Sequence, residues 1–376
     1  MSSKLFAPLK VGDAQLQHRL VMAPLTRFRA EDNHVPQLPL SKEYYEQRAS
    51  VPGTLLITEA TFIAPQAGGY PNVPGIYNAD QIKAWKEITD AVHAKGSYIY
   101  LQLWALGRAA YPAVLKAEGD YDLVSSSAVP MEEGAPTPRA LTEEEIKSFI
   151  GYYTQAAKNA VEAGFDGVEI HSANGYLIDQ FLQDNSNKRT DGWGGSIEKR
   201  ARFCLEITKS VVDAIGSKRT GLRLSPWSPF QGMRMADPIP QFSYVIKELK
   251  KFNLSYLHLV NSRMSGGGDN LVNKDRDSTP EQIDFAVDIW ANQSPVIVAG
   301  GFKPDTAKTT VDEEFADHDV AVAFGRYFIA NPDLPYRIQH GIDLVPYNRD
   351  TFYKTKSADG YTDYPFSKEF VASSKI

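Results

Sequence analysis

The sequence predicts an α/β fold, a closed (β/α)8 TIM barrel with extended loops and an aromatic-rich C-terminal tail, and three observations lead there. Eight short apolar or β-branched runs recur along the 376 residues, with stretches of helical periodicity between them. That alternation marks βα units around a parallel sheet. Eight such units take about 250 residues to close a barrel, which leaves surplus here for loops and a tail. The rival, an open doubly wound sheet, carries a GxGxxG turn after its first strand, but MAPLTR stands at that point. No linker divides the chain, so residues 1–376 are read as a single domain.

In order, the strands are RLVMAPLT from Arg19, TLLITEATF from Thr54, SYIYLQLW from Ser97, GVEIHSA from Gly167, TGLRLSP from Thr220, LSYLHLV from Leu254, PVIVAGGF from Pro295 and DVAVAFG from Asp319. Helical runs such as ADQIKAWKEITDAVHAKG, TEEEIKSFIGYYTQAAKNAVEAG and TPEQIDFAVDIWANQ separate them. Asp80 or Asn78 is expected to cap the first and Thr279 the third, while the first two end in glycine. The surplus falls in 108–139, in SRMSGGGDNLVNKDRDS from Ser262, and in the tail from Tyr347.

Composition narrows the function. The chain is 43% hydrophobic with a formal net charge of −6 and no long Lys/Arg run, which favours a small-molecule ligand over nucleic acid or a membrane surface. One cysteine, Cys204, leaves no disulfide framework or cysteine metal cluster, and a reducing compartment fits. No apolar run reaches the roughly 20 residues that span a bilayer, and the start lacks a signal-peptide core. The final tripeptide, Ser374, Lys375 and Ile376, resembles a peroxisomal address but departs from it at the last residue, so a cytoplasmic location is expected. Nothing in the composition distinguishes monomer from homodimer.

In a barrel, chemistry sits at the C-terminal ends of the strands. There the sequence offers Thr26, Gln102, His171 with Asn174, Arg223, and Gly300, Gly301 and Gly325 followed by Arg326. Strand alternation puts Val168 and Ile170 on one face and Glu169 and His171 on the other. An imidazole and a carboxamide converging on one oxygen would hold a carbonyl or phenolate and stabilise charge developing on it. Equally, His171 reads as a satisfied interior histidine and Asn174 as a turn former before Gly175. A metal site with Glu169 or Asp166 is a third reading, weakened by the lack of a second histidine nearby, so no metal is expected. Arg223 either pairs with a buried carboxylate or stabilises an anionic ligand. Glycines ending the seventh and eighth strands are where barrels bind phosphate through backbone N–H groups, and Arg326 would add a bidentate contact. A phosphate-bearing cofactor across the mouth, opposite a clamp of donors, fits FMN.

Residues MAPLTR, TEATFIAPQAGGYPNVPGIY, LQLWALGR, HSANGYLIDQFLQDNSNKRTDGWGGSIEKRARF, LRLSP, FGRYFIANPDL and the tail DTFY with GYTDYP give the chain a further identity. In that order, from about Val21 to Pro365, they resemble the old yellow enzyme family of FMN-dependent ene-reductases, in its yeast and plant-like branch by Thr26. The resemblance implies non-covalent FMN, touched by the backbone of Pro24 and Leu25, the hydroxyl of Thr26 and the backbone of Ala60. Gln102 would hold the pyrimidine end, Arg223 the region where charge accumulates on reduction, and Gly300, Gly301, Gly325 and Arg326 the phosphate. Gly301 departs from some relatives, which carry a polar residue there.

His171 and Asn174 would then bind the oxygen of an enone or enal, and Tyr176 would protonate its α-carbon. NADPH or NADH would reduce the same site in a ping-pong cycle. Trp104, Tyr70, Phe230 and Tyr353 would form the substrate wall, Phe230 reading equally as core, and the loop from Ser265 to Asn270 would cap it. The alternatives are a secondary-metabolite reductase or isomerase on this scaffold, or a non-catalytic flavin or steroid-binding protein.

Overall fold

The computed structural model describes residues 3–262 and 282–373. Eight strands close a ring of parallel pairs: β1 (Leu20–Met22), β2 (Leu55–Ile57), β3 (Tyr98–Trp104), β4 (Gly167–Ser172), β5 (Thr220–Leu224), β6 (Tyr256–Val260), β7 (Val296–Ala299) and β8 (Val320–Phe324), which returns to β1. Each expected run holds its strand. The run from Thr54 breaks in two, with Thr61–Phe62 pairing further along β3 and leaving Glu59 and Ala60 at the bend. Helices follow the strands: α1 (Leu40–Arg48), α2 (Ala79–Ala94), α3 (Glu143–Glu162), α4 (Ile197–Ile215), α5 (Pro238–Leu249), α6 (Asp284–Trp290), α7 (Pro304–Thr309) and α8 (Leu334–His340).

Alternation along the strands separates two environments. Outward residues such as Leu101, Val168, Ile170, Leu222 and Leu257 join the layer of apolar helix faces. Inward residues Val21, Leu55, Tyr100, Tyr256, Ile297 and Ala321 fill the N-terminal end of the barrel, which a hairpin of Leu9–Val11 and Ala14–Leu16 plugs. Gly167 and Gly221 make room for the two rings: a Cβ would lie 2.5 Å from the Tyr100 ring at the first position and 2.3 Å from that of Tyr256 at the second. Two residues beyond Tyr100 and Tyr256 the inward positions turn polar, with Gln102 and His258 beside Glu169, His171 and Arg223 of β4 and β5, so the apolar plug is the floor on which the site is built.

Asn78, rather than Asp80, caps α2, in a reciprocal capping box with Gln81. Asp80 lies inside the first turn, where its charge suits the helix dipole. Thr142 and Glu145 form the same box on α3. Thr279 and the loop from Ser265 to Asn270 lie outside the described residues, as do Ser374, Lys375 and Ile376. The segment 108–139 is more ordered than its composition suggests, carrying a helix, Pro112–Gly119, and a short parallel pair, Val124–Ser125 with Arg139–Ala140. No helix among the described residues is long and apolar enough to cross a membrane.

Candidate active site

The polar layer at the barrel mouth is built by neighbouring strands in register. Gln102 on β3 lies opposite Glu169 on β4, His171 on β4 opposite Arg223 on β5, and Arg223 opposite His258 on β6. Gln102 donates its Nε2 to Glu169 Oε1 at 2.7 Å, and His258 Nδ1 lies 2.7 Å from Glu169 Oε2. Burial works against the Glu169 charge, but His258, Arg223 and Gln102 together hold it below the usual carboxylate range. Arg223 makes no hydrogen bond or ion pair with a described residue, and its Nε is buried without a partner. Of the two arrangements expected of Arg223, a hydrogen-bonded pair with a buried carboxylate is not formed among the described residues.

His171 is buried, and burial followed by the charge of Arg223 pushes its pKa down to about 3. The ring is neutral at physiological pH. Its Nδ1 accepts the Ala173 N–H at 3.3 Å, which leaves the proton on Nε2 as a donor. Beyond it the chain turns sharply, with Asn174 (φ 58°) and Gly175 (φ 78°) both left-handed. Asparagine and glycine are the residues that tolerate this. Every backbone group of the turn is held from outside: Asn174 N–H by Ser225 Oγ at 2.7 Å, Asn174 C=O by Gln231 Nε2 at 2.8 Å, Gly175 N–H by Asp179 Oδ2 at 2.9 Å, and Gly175 C=O by Gln180 Nε2 at 2.8 Å. The Asn174 amide itself has no hydrogen-bond partner among the described residues.

Tyr176 follows and packs edge-on against both His171 (centroids 5.0 Å) and Trp104 (4.7 Å). Burial raises its phenol pKa well above the ordinary value, while Gln231 hydrogen-bonds it and lowers it slightly. Trp104 stacks near His171 and meets Tyr70, which leads through Phe28 to Tyr353 on the tail. Phe230 adjoins Gln231 beside the turn, its carbonyl near Gly175. Across the mouth, Pro24, Leu25 and Thr26 are partly exposed at the end of β1, and Ala60 is buried at the bend after β2. Gly325 lies against Leu25, at the start of the short helix Arg326–Ala330, and Arg326 faces the Tyr347 ring. Gly300 and Gly301 follow β7, with Gly301 at φ 67°.

Residues 4–344 match the NADH:flavin oxidoreductase / NADH oxidase family. The chain belongs to this family. It is 61% identical, over 98% of each chain, to a protein named chanoclavine-I aldehyde reductase from Penicillium roqueforti (strain FM164). It is also 56% identical, over 100% of this chain and 98% of the other, to a protein named probable inactive reductase from Epichloe festucae var. lolii. Among solved structures, the old yellow enzyme from Pichia sp. AKU4542 superposes with a TM-score of 0.88 at 41% identity, covering 97% of this chain and 94% of that one. The protein is an FMN-dependent oxidoreductase of the old yellow enzyme type that draws on a nicotinamide reductant.

The residues of this old yellow enzyme's mouth suit FMN on their own terms. An orphaned, buried guanidinium beside a row of acceptors and donors asks for an anionic, hydrogen-bonding ring edge, and burial without such a partner is costly. Left-handed Gly301 and Gly325 against Leu25 leave backbone open to close approach. Sequence reading missed Ser225, Gln231, Asp179 and His258. His258 was visible by alternation, two residues beyond Tyr256 on one face; the other three act through backbone atoms of the 174–175 turn, Ser225 and Gln231 from more than fifty residues away, and backbone partners leave no sequence signature.

Proposed function

We propose that this enzyme uses NADPH or NADH to reduce the activated C=C bond of α,β-unsaturated aldehydes and ketones, nicotinamide and substrate taking turns at one site. The observation that carries the reading is the neutral His171 donor beside the Asn174 amide, which has no hydrogen-bond partner among the described residues, with the Tyr176 phenol packed on the imidazole. Two N–H donors on one carbonyl oxygen draw charge toward it, and one such donor is worth about 3 to 4 kcal/mol in comparable sites. Tyr176 keeps its proton at working pH and delivers it to the α-carbon, the most basic atom of the polarised product side.

In this reading the backbone of Pro24, Leu25 and Ala60, the Thr26 hydroxyl, Gln102 and Arg223 hold the flavin ring, and Gly300, Gly301, Gly325 and Arg326 hold its phosphate. FMN held there would supply the hydride chemistry that links the nicotinamide to the alkene β-carbon. Trp104, Tyr70, Phe230 and Tyr353 exclude water around the substrate. The name of the 61% relative supports an aldehyde as the polarising group. A second reading, isomerisation or ligand binding with no net reduction, draws on the relative named probable inactive reductase; a protonated Tyr176 at the clamp favours reduction over it. Anaerobic NADPH oxidation with and without cyclohex-2-enone decides between them. Saturated ketone by product mass is expected, and flavin reduction without alkene product would remove the ene-reductase reading.

A further inference from the structure

Glu169 is a fully buried carboxylate that the reaction above does not use. Strand register sets it opposite Gln102 and Gly221, and its side chain meets Gln102 and His258, with Arg223 near enough to act on its charge. Gln102 Nε2 and His258 Nδ1 each donate to a different carboxylate oxygen at 2.7 Å, while Arg223 has no ion pair among the described residues. A carboxylate near a buried guanidinium ordinarily takes it in a bidentate pair. Here the two neutral donors prevent that.

Two consequences follow. An amide that gives its NH2 to a carboxylate must turn its carbonyl oxygen the other way, so Gln102 presents an acceptor rather than a donor. Arg223, left unpaired, keeps a full positive charge whose field is moderated by a nearby anion. We infer that Glu169 is a positioning residue, one that fixes the Gln102 amide and leaves Arg223 free at a moderated potential for the pyrimidine edge of FMN, whose ring N–H is a donor and whose reduction adds negative charge. The inference rests on the reading that Gln102 and Arg223 face the flavin.

Replacing Glu169 alters both consequences in measurable directions. In Glu169→Gln the anion is gone, Arg223 is uncompensated, and the reduced, negatively charged flavin is favoured. The FMN midpoint potential of the purified holoenzyme should rise by at least the equivalent of a tenfold change in the redox equilibrium, about 30 mV for a two-electron couple. The Gln102 amide also loses its fixed orientation, so FMN affinity by fluorescence titration should weaken severalfold. His258→Leu acts with the opposite sign: one carboxylate oxygen loses its donor and turns to Arg223, and the potential should fall. This second variant serves where Glu169→Gln does not fold. A potential that stays put or moves the other way in the variant that folds overturns the inference. A wild-type protein that takes up no FMN overturns instead the placement of the flavin, and a wild type that binds FMN and gives the phenol colour separates the two failures.

Discussion

Asn174 meets two demands at one position. Its left-handed φ of 58° would by itself select asparagine or glycine, so the residue type does not prove the amide is used. Asn174→Gly separates the demands, since glycine keeps the turn and removes only the donor, whereas alanine would strain it. FMN should stay bound while the long-wavelength band given by a phenol on the oxidised flavin weakens, with phenol affinity falling on the order of a hundredfold, as for one lost donor of about 3 kcal/mol. Unchanged phenol titration would remove Asn174 from the clamp. Tyr176 calls for the complementary experiment. Tyr176→Phe keeps the ring that packs on His171 and Trp104 and deletes only the proton, so stopped-flow reduction by NADPH should be preserved while reoxidation by enone slows by 10²-fold or more. Slowing of both half-reactions would point to lost packing instead. His171 drew notice because alternation puts it on the face of Glu169 at a strand end with Asn174 just beyond, while the readings of the pair stayed even and the role of Tyr176 came only with the family resemblance. Ser225 and Gln231, which hold the turn, were not legible, because each bonds a main-chain atom more than fifty residues away, and Asp179 was not because its partner, four residues back, is a main-chain N–H.

The element least foreseen is the tail. Read from composition it was aromatic surplus; in the structure residues 351–361 are strapped to the barrel by three buried arginines, Arg27, Arg29 and Arg48. Arg29 alone donates to the carbonyls of Thr351, Phe352, Ser357 and Asp359, Arg27 to those of Phe352 and Gly360, and Arg48 to that of Tyr361. Tyr361 stacks on Tyr44 at 3.9 Å, with Arg48 over the Tyr44 ring. Carbonyl partners have no sequence signature, which is why arginines two residues apart after MAPLT did not announce this role. The strap also carries Tyr353, which leans on Phe28 at the mouth. Arg29→Met should therefore loosen the element before the barrel. Hydrogen bonds from a charged donor contribute about 1.5 to 3 kcal/mol each, so limited proteolysis is expected to cut within 351–361 under conditions where the barrel strands stay protected. Cleavage that appears only with global unfolding would show the strap to be no separate unit. The start of α2, by contrast, was legible to within two residues, because Asn78 caps through its own side chain.

At the scale of the whole molecule the barrel divides along its axis, an apolar plug of Tyr100, Tyr256 and the hairpin below and a layer of charge and amide above. The ring of eight strands was legible because eight short apolar or β-branched runs alternate with stretches of helical periodicity. The axial division was not, since it depends on which residues of different strands share a level, a matter of register that only closure sets. It has a thermodynamic consequence. The residues proposed to hold FMN come from β3, β5 and the turns after β1, β2, β7 and β8, so one ligand ties together strands on opposite sides of the ring. Without it Arg223 carries an unsatisfied buried nitrogen and the mouth leaves acceptors and donors facing one another. A ligand bound only by the folded ring stabilises it by RT ln(1 + [L]/Kd), roughly 2.7 kcal/mol at a hundred times Kd and 4.1 at a thousand. Protein stripped of flavin should melt lower, and its Tm should climb with the logarithm of added FMN and respond far less to riboflavin, which lacks the phosphate that Gly300, Gly301, Gly325 and Arg326 would grip. Riboflavin matching FMN would place the phosphate elsewhere than these late turns, and a Tm indifferent to both would mean that the mouth is already satisfied without a flavin.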